Sequence, residues 1–258
     1  MKTFTAQEKL SHLLSLPVIV AALGYFVDIY DLLLFGIVRV PSLKSLHLDP
    51  DTVGTTIMNF QMTGLLLGGI FWGIMGDKRG RLSVLFGSIL VYSLANIACG
   101  YIPEIPIDDK AQLYAWLRFI AGIGLAGELG AGITLVAESL PKELRAIGTS
   151  IVAGFGLMGA VVAHFTVELA GPAESGWSVA YLIGGGMGLC LLLLRIGVLE
   201  SGMYSHIKHE AGIQKGDFLM LFKTKKSTIK YLKCIAIGLP TWYCIGILAV
   251  MRDLKSVV

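Results

Sequence analysis

Two aspartates and an arginine lie inside apolar stretches of the sequence, where ionised side chains are costly. Asp28 and Asp31 occur in "GYFVDIYDLLLFG", and Arg118 occurs in "WLRFIAGIG". A charge at membrane depth is expensive, so it is usually kept for a function or for a partner of opposite charge. An offset of three residues places the two aspartates on nearly the same face of a helix.

Asp31 and Arg118 are predicted to lie at a similar depth if their helices run antiparallel, with a rise of about 1.5 Å per residue. A carboxylate paired with arginine stays ionised, and it can take up a proton when substrate or a conformational change weakens the pair. This chemistry is typical of a proton-coupled carrier. Asp28 is the competing proton site. The alternative interpretation is a pair between Asp28 and Arg118 that has a structural role only.

The composition identifies the elements that must position these charges. The chain has 258 residues, of which 55% are hydrophobic and 15% are charged, and its mean hydropathy is +0.73. Soluble domains are about 25% charged. The apolar residues occur in blocks of about 20, enough to cross roughly 30 Å of hydrocarbon as a helix. The alternating strands of about 10 residues that build a β-barrel are not seen. We therefore predict an all-α, polytopic membrane helical bundle.

Six apolar segments are predicted to form a bundle over 1–199, at 17–40, 52–75, 82–102, 111–139, 146–170 and 178–199. A basic loop between halves is predicted over 200–233, and a seventh transmembrane helix with a truncated C-terminus over 234–258. The first segment is interpreted as a retained helix rather than a cleaved signal peptide.

The distribution of lysine and arginine predicts the orientation. With the N-terminus in the cytoplasm, 14 of these residues fall on the cytoplasmic side and 5 on the other side. The positive-inside rule favours this arrangement. The sequence thus predicts a multi-pass protein of the cell (inner) membrane with a cytoplasmic N-terminus.

A polar turn, "GDKRGR", separates the second and third segments on the predicted cytoplasmic side. Its glycines suit close packing, and a carboxylate followed by basic residues suits a charge contact between helix ends. The stretch "AESLPKELRAIG" after the fourth segment lies on the same side. We predict a conformational lock formed by Gly73, Asp77, Gly80, Arg81, Glu138 and Arg145. The alternative is that the basic residues serve only as a topology signal.

Uncharged polar residues and one further acid are predicted to line a substrate cavity. Asn59 and Gln61 differ by two positions and cannot both face inward, and Gln61 is preferred. Glu128 lies in a glycine-rich run, and its binding and structural roles are both left open. The predicted substrate-binding residues are Tyr25, Tyr30, Gln61 and Glu128, with Thr134 as a further candidate.

Three more ionisable residues lie in the later segments. His164 and Glu168 are one turn apart near the outer end of the fifth segment. His164 is a candidate for the transport pathway, whereas Glu168 is predicted to be interfacial. Arg195, near the cytoplasmic end of the sixth segment, is predicted to snorkel to the membrane surface in a structural role.

Two motifs carry a resemblance to a known family. Gly73-x-x-x-Asp77-Lys78-x-Gly80-Arg81 resembles the signature of the loop after the second helix in the major facilitator superfamily. "RFIAGIGLAGELGAG" with "AESLPKELR" is similar to the fourth helix and its end in the metabolite:proton symporter and sugar-porter branches. The resemblance covers the first six segments and implies the N-terminal half of that fold. Leu82 departs from the loop signature, and the family usually has two six-helix halves.

The resemblance implies a secondary active transporter that moves a small polar metabolite, an organic acid, osmolyte or sugar, together with protons by alternating access. In sugar porters and their relatives an aspartate of the first helix and an arginine of the fourth take part in coupling, and this role is carried over to Asp31 and Arg118. The alternative, motivated by the chain length, is a half-size or truncated membrane protein that does not transport and acts as an assembly partner. A homodimer or a second half-transporter is left open as a partner.

Other functional classes are not indicated. The sequence has no HExxH, GxSxG or phosphate-cradling motif, so we predict no enzyme activity and no cofactor or metal. Energy is expected to come from an ion gradient. The net charge of +3 is explained by topology, so nucleic acid is not expected as a partner, whereas the basic stretch before the seventh segment is expected to contact anionic lipid.

Overall fold

A computed structural model describes residues 5–79, 81–171, 175–200 and 224–244. In these residues the chain forms eight helices. They are α1 (Ala6–Leu13), α2 (Leu16–Ser45), α3 (Thr52–Arg79), α4 (Arg81–Gly100), α5 (Lys110–Ser139), α6 (Arg145–Leu169), α7 (Gly176–Glu200) and α8 (Lys225–Cys244). The chain divides into two compact units, Met1–Ile213 and Gln214–Val258.

The helices α2 to α7 correspond to the six predicted segments, which confirms an all-α polytopic bundle. Their starts differ from the predicted starts by at most two residues. The largest difference is at the end of α2, which continues through Pro41 to Ser45. The predicted polar turn is also shorter than expected, since α3 runs to Arg79 and α4 begins at Arg81.

Within the described ranges, five helical stretches are long and apolar enough to cross a membrane: Val18–Ser45, Thr52–Arg79, Ser83–Gly100, Arg145–Leu169 and Gly176–Ile196. Large apolar side chains also lie on the outside of these helices. Leu66 on α3, Leu157 on α6 and Leu193 on α7 are 68%, 57% and 68% exposed. Such an apolar surface is unfavourable in water but is compatible with the hydrocarbon interior of a lipid bilayer. The protein is a multi-pass membrane protein.

The first unit is built around α2 and α5. Helix α5 packs against α3 and α4, α2 packs against α6, and α7 packs against both α4 and α2. Glycines allow close approach at two of these contacts. A Cβ atom at Gly68 would lie 2.5 Å from the carbonyl oxygen of Ile123, and one at Gly159 would lie 2.9 Å from the amide nitrogen of Tyr30. These packed helices bring polar residues from different segments together.

The second unit contains α8, which begins at Lys225 and includes Pro240. The helix therefore starts inside the stretch predicted as a loop over 200–233. Residues 201–223 and 245–258, which make up most of that loop and the end of the predicted seventh helix, lie outside the described residues. The domain boundaries stay a prediction.

Candidate functional site

Arg118 lies at the centre of a buried polar cluster in the first unit. From α5 its guanidinium reaches side chains on three other helices, and its side chain is fully buried. Nη1 donates to Asn96 Oδ1 on α4 at 2.8 Å and lies 3.4 Å from Asp31 Oδ1 on α2, while Nε donates to Gln61 Oε1 on α3 at 3.3 Å. Nη2 donates to the backbone oxygen of Asp31 at 3.4 Å. We call these four residues, Asp31, Gln61, Asn96 and Arg118, the Arg118 cluster.

Aromatic rings enclose this cluster. The Arg118 guanidinium carbon lies 5.8 Å from the ring centre of Phe35 and 5.3 Å from that of Tyr181. The hydroxyls of Tyr114 and Tyr181 are 2.9 Å apart, and Tyr114 donates to Ser42 Oγ at 3.4 Å. Such rings attract a cation and exclude water, so charges inside the enclosure interact more strongly than they would in solution.

A second buried ion pair joins α5 to α7. Arg195 donates to Glu128 through both terminal nitrogens, with a distance of 2.8 Å from Nη1 to Oε2. Both side chains are at most 5% exposed. The pair packs against Gly24 of α2, where a Cβ atom would collide with it. The prediction that Arg195 snorkels is wrong, because a buried carboxylate binds its guanidinium in a bidentate geometry.

Asp28 lies near both ion pairs but belongs to neither. It is 1% exposed, and neither of its carboxyl oxygens has a hydrogen-bond partner among the residues that the structure describes. It interacts electrostatically with Glu128, Arg195 and Asp31. The structure therefore pairs Arg118 with Asp31, and the alternative structural pair between Asp28 and Arg118 is not found among the described contacts.

The predicted cavity-lining residues take different places. Gln61 is buried and Asn59 is exposed, so the preference for Gln61 as the inward-facing residue matches the structure. Tyr30 is fully buried, and its hydroxyl donates to the backbone oxygen of Ala180 on α7 at 2.9 Å. Tyr25 is half-buried and its ring lies against Gly156 of α6. Substrate binding by Tyr25, Tyr30, Gln61 and Glu128 stays a prediction.

The predicted lock is described only in part. Asp77 is exposed, and Arg145 Nε donates to the backbone oxygen of Leu140 at 3.0 Å. A Cβ atom at Gly73 would have no neighbour within 4 Å, so close helix packing does not explain this glycine. Gly80 and the side chains of Arg81 and Glu138 lie outside the described parts of the chain. The lock stays a prediction.

His164 and Glu168 form a separate pair on α6. His164 Nε2 lies 3.9 Å from Glu168 Oε2, and the two side chains are 68% and 66% exposed. An exposed position agrees with an interfacial Glu168. It places His164 outside the two buried clusters of this unit, so the geometry gives no support to a pathway role for His164.

Sequence reasoning missed several members of the site. Asn96, the closest partner of Arg118, is a lone amide in the apolar run "SLANIACG". Tyr114 precedes Arg118 by four residues and so shares its helix face. These two signals could have been found, whereas nothing in the sequence indicates that Tyr181 faces the same cluster.

The chain is similar to known transport proteins. The sequence profile of the Major Facilitator Superfamily matches residues 21–251. The niacin transporter NiaP of Acinetobacter baylyi is 34% identical over 64% of this chain and 36% of that protein. The sialic acid transporter NanX of Escherichia coli K12 is 27% identical over 88% of this chain and 54% of that protein, and the 4-hydroxybenzoate transporter PcaK of Pseudomonas putida is 28% identical over 81% and 45%.

Solved structures show the same fold. An inward-open structure of the Escherichia coli xylose transporter XylE has a TM-score of 0.57 at 16% identity, and the match covers 86% of this chain and 55% of that one. The chain thus spans between about a third and about half of the relatives it matches. These relatives are named as transporters and not as enzymes, in agreement with the prediction from the sequence.

Proposed function

The chain belongs to the major facilitator superfamily, and from this membership we propose that it acts as the N-terminal half of a secondary active transporter. The proposed transporter moves a small organic acid together with a proton by alternating access. The single observation that carries this proposal is the fully buried pair of Asp31 and Arg118, whose atoms Oδ1 and Nη1 are 3.4 Å apart.

This pair provides the chemistry of coupling. A substrate carboxylate is a good ligand for arginine, whose planar guanidinium binds carboxylates in two-point geometry. A substrate that competes for Arg118 would release Asp31, and a released carboxylate in a water-poor site can take up a proton. Asp28, three residues away, is the second candidate to carry that proton.

The names of the relatives favour an organic acid over a sugar. Niacin, sialic acid and 4-hydroxybenzoate, for which three relatives are named, all carry a carboxyl group. The xylose transporter shares only 16% identity with this chain, and its likeness supports the fold alone. A buried arginine with an acidic partner is suited to the carboxylate class.

We also infer a cytoplasmic N-terminus, from the distribution of lysine and arginine. In this orientation the ends of α3 and α5 and the starts of α4 and α6 lie at the cytoplasmic face. The residues of the predicted lock, Asp77 and Arg145 among them, are proposed to hold that face closed in one conformation.

Reconstitution tests the proposal. The purified chain is placed in liposomes with an imposed inward proton gradient, and uptake of labelled nicotinate and 4-hydroxybenzoate is compared with that of xylose. Asp31→Asn is expected to abolish uphill accumulation and to leave exchange partly intact. Asn59→Ala, a change at an exposed polar position, is the control. Proton-driven accumulation that persists in Asp31→Asn would reject the assigned role.

A second candidate function is a membrane component that does not transport by itself. Three relatives are matched over 36%, 54% and 45% of their length, so flux from this chain by itself is what the experiment has to establish. Crosslinking of the reconstituted chain separates the two candidates. A monomer without flux supports the second candidate, whereas flux from a homodimer, or from a complex with a second half-protein, supports the carrier.

A further inference from the structure

Asp28 lies between two ion pairs along one side of α2. The Glu128–Arg195 pair packs against Gly24, four residues before Asp28, and Arg118 binds Asp31, three residues after it. These offsets correspond to about 6 Å and about 4.5 Å along a helix axis. Asp28 is thus about one turn from each pair.

The buried charges do not balance if all of them are ionised. The two ion pairs and Asp28 together contain three carboxyl groups and two guanidinium groups, and each of these side chains is at most 5% exposed. Glu128 and Asp31 each have an arginine partner, which leaves Asp28 without one in the described part of the chain. An ionised carboxylate that is buried without a cation or a hydrogen-bond donor is strongly disfavoured, and such a group takes up a proton instead.

We propose that Asp28 carries the transported proton as a neutral carboxylic acid in this conformation. The Glu128–Arg195 pair keeps Asp28 protonated, because Arg195 is bound to Glu128 and does not stabilise an ionised Asp28. This inference rests on the proposed function, because it assigns a residue to the proton of that transport cycle. Arg118 and Asp31 then respond to the substrate carboxylate, while Asp28 holds the proton.

The groups around Asp28 show where its proton can go. Glu128 faces it from α5, Arg195 from α7 and Tyr92 from α4. On α2 itself Asp31 and Tyr25 are its neighbours. The Tyr92 hydroxyl and Arg195 Nε are also buried, and neither has a hydrogen-bond partner within the described ranges. A movement that turned either group toward Asp28 would stabilise its carboxylate, break its O–H bond and release the proton to water.

Substitutions of Glu128 and Arg195 test this proposal, because it predicts how the protonation state of Asp28 changes in each variant. Glu128→Gln leaves Arg195 without its carboxylate, so Asp28 should ionise and become its partner. The double variant Glu128→Gln with Arg195→Gln removes both charges, and Asp28 should again hold its proton. If the Glu128–Arg195 pair served only to hold α5 against α7, Asp28 would not lose its proton in the single variant and regain it in the double variant.

Infrared spectroscopy of the purified full chain at neutral pH measures the protonation state of the Asp28 carboxyl group, and the measurement does not require transport. We expect the C=O stretching band of a protonated carboxyl group in the wild-type chain and in the control Asn59→Ala. The band should be lost in Asp28→Asn and in Glu128→Gln, and it should return in the double variant. A band that persists in Asp28→Asn overturns the proposal. If Glu128→Gln does not fold, the comparison of Asp28→Asn with the wild-type chain decides whether Asp28 is protonated.

Uptake in liposomes links the proton site to the proposed function. Asp28→Asn and Glu128→Gln are expected to lose accumulation driven by a proton gradient but to keep exchange, and the double variant should regain accumulation. Accumulation that survives in Asp28→Asn contradicts the assignment. If the infrared pattern holds and the wild-type chain does not transport, the proposed function fails while the proton site stands.

Discussion

Arg118 Nη1 lies 2.8 Å from the amide oxygen of Asn96, closer than the 3.4 Å that separates it from the carboxylate of Asp31. The nearest partner of the buried cation is therefore neutral. One carboxyl oxygen of Asp31, Oδ2, has no hydrogen-bond partner in the part of the chain that the structure describes. This geometry lets Asp31 leave the guanidinium while Asn96 and Gln61 still hold it, which the proposed coupling role of Asp31 requires.

Replacing Asn96 should weaken the cluster that holds Arg118. Asn96→Leu keeps the approximate size of the side chain but removes the acceptor nearest to the guanidinium. A hydrogen bond to a charged group contributes about 1.5–3 kcal/mol, and we expect the free energy of unfolding in mixed micelles to fall by about that amount. Asn59→Leu, at an exposed position of α3, is the control. Equal stability of the two variants would show that Asn96 does not hold Arg118.

Arg118→Lys should impair transport although it keeps the positive charge. The three nitrogens of Arg118 bind acceptors on α2, α3 and α4, and one ammonium group cannot reach all of them. Loss of a single charge-assisted hydrogen bond, about 1.5–3 kcal/mol, corresponds to a decrease of roughly tenfold or more in proton-driven uptake. Arg39→Lys is the control, because Arg39 is also buried but its Nε has no hydrogen-bond partner among the described residues. Equal uptake by the two variants would contradict this prediction.

Gly68 and Gly69 are adjacent in α3 but should respond in opposite ways to alanine. A Cβ atom at Gly68 would lie 2.5 Å from the Ile123 carbonyl oxygen, whereas one at Gly69 would have no neighbour within 4 Å. Gly68→Ala must push α3 away from α5, and overpacking of this kind costs about 1–3 kcal/mol. Gly69→Ala should stabilise the helix by about 0.5–1 kcal/mol. Unfolding of both variants in mixed micelles measures the difference, and the same sign for both would refute the close contact.

Much of the fold and part of the site could be predicted from the sequence, and the physical reason differs between them. Blocks of apolar residues determine where membrane helices run, and the depth of Asp31 and Arg118 followed from counting residues along them. Depth does not give the rotation of a helix about its axis. Burial of Arg195 and the contact of Asn96 with Arg118 depend on that rotation and on the packing of α4, α5 and α7, which sequence spacing alone does not determine.

Asp49 should make the start of α3 sensitive to acid. Its carboxylate accepts hydrogen bonds from the backbone nitrogen of Thr52 at 2.9 Å and from the Thr52 hydroxyl at 2.5 Å. These bonds hold the pKa of Asp49 below its usual value, which is about 3.9. The stabilisation is therefore present above that usual value and is lost as the pH falls through the lowered pKa in the folded state.

Hydrogen exchange of the first-turn amides of α3 measures this effect. Relative to the wild-type chain above pH 4 or so, Asp49→Ala should exchange faster at these amides, and the difference should shrink as Asp49 becomes protonated. Asp51→Ala is the control, since it leaves in place the two hydrogen bonds that Thr52 donates to the Asp49 carboxylate. A difference between Asp49→Ala and the wild-type chain that did not depend on pH would argue against the capping role.

The orientation inferred from the charges predicts opposite accessibility for two exposed acidic positions. Asp77, near the end of α3, should face the cytoplasm, and Glu104, between α4 and α5, should face the other side. Asp77→Cys and Glu104→Cys are made in a chain whose native cysteines, at 99, 190, 234 and 244, are replaced. A membrane-impermeant maleimide should label the position-104 variant in intact cells and the position-77 variant only after permeabilisation. Because the positive-inside rule counts lysine and arginine in short loops, the reverse labelling would place the N-terminus outside and invert the side on which the predicted lock closes.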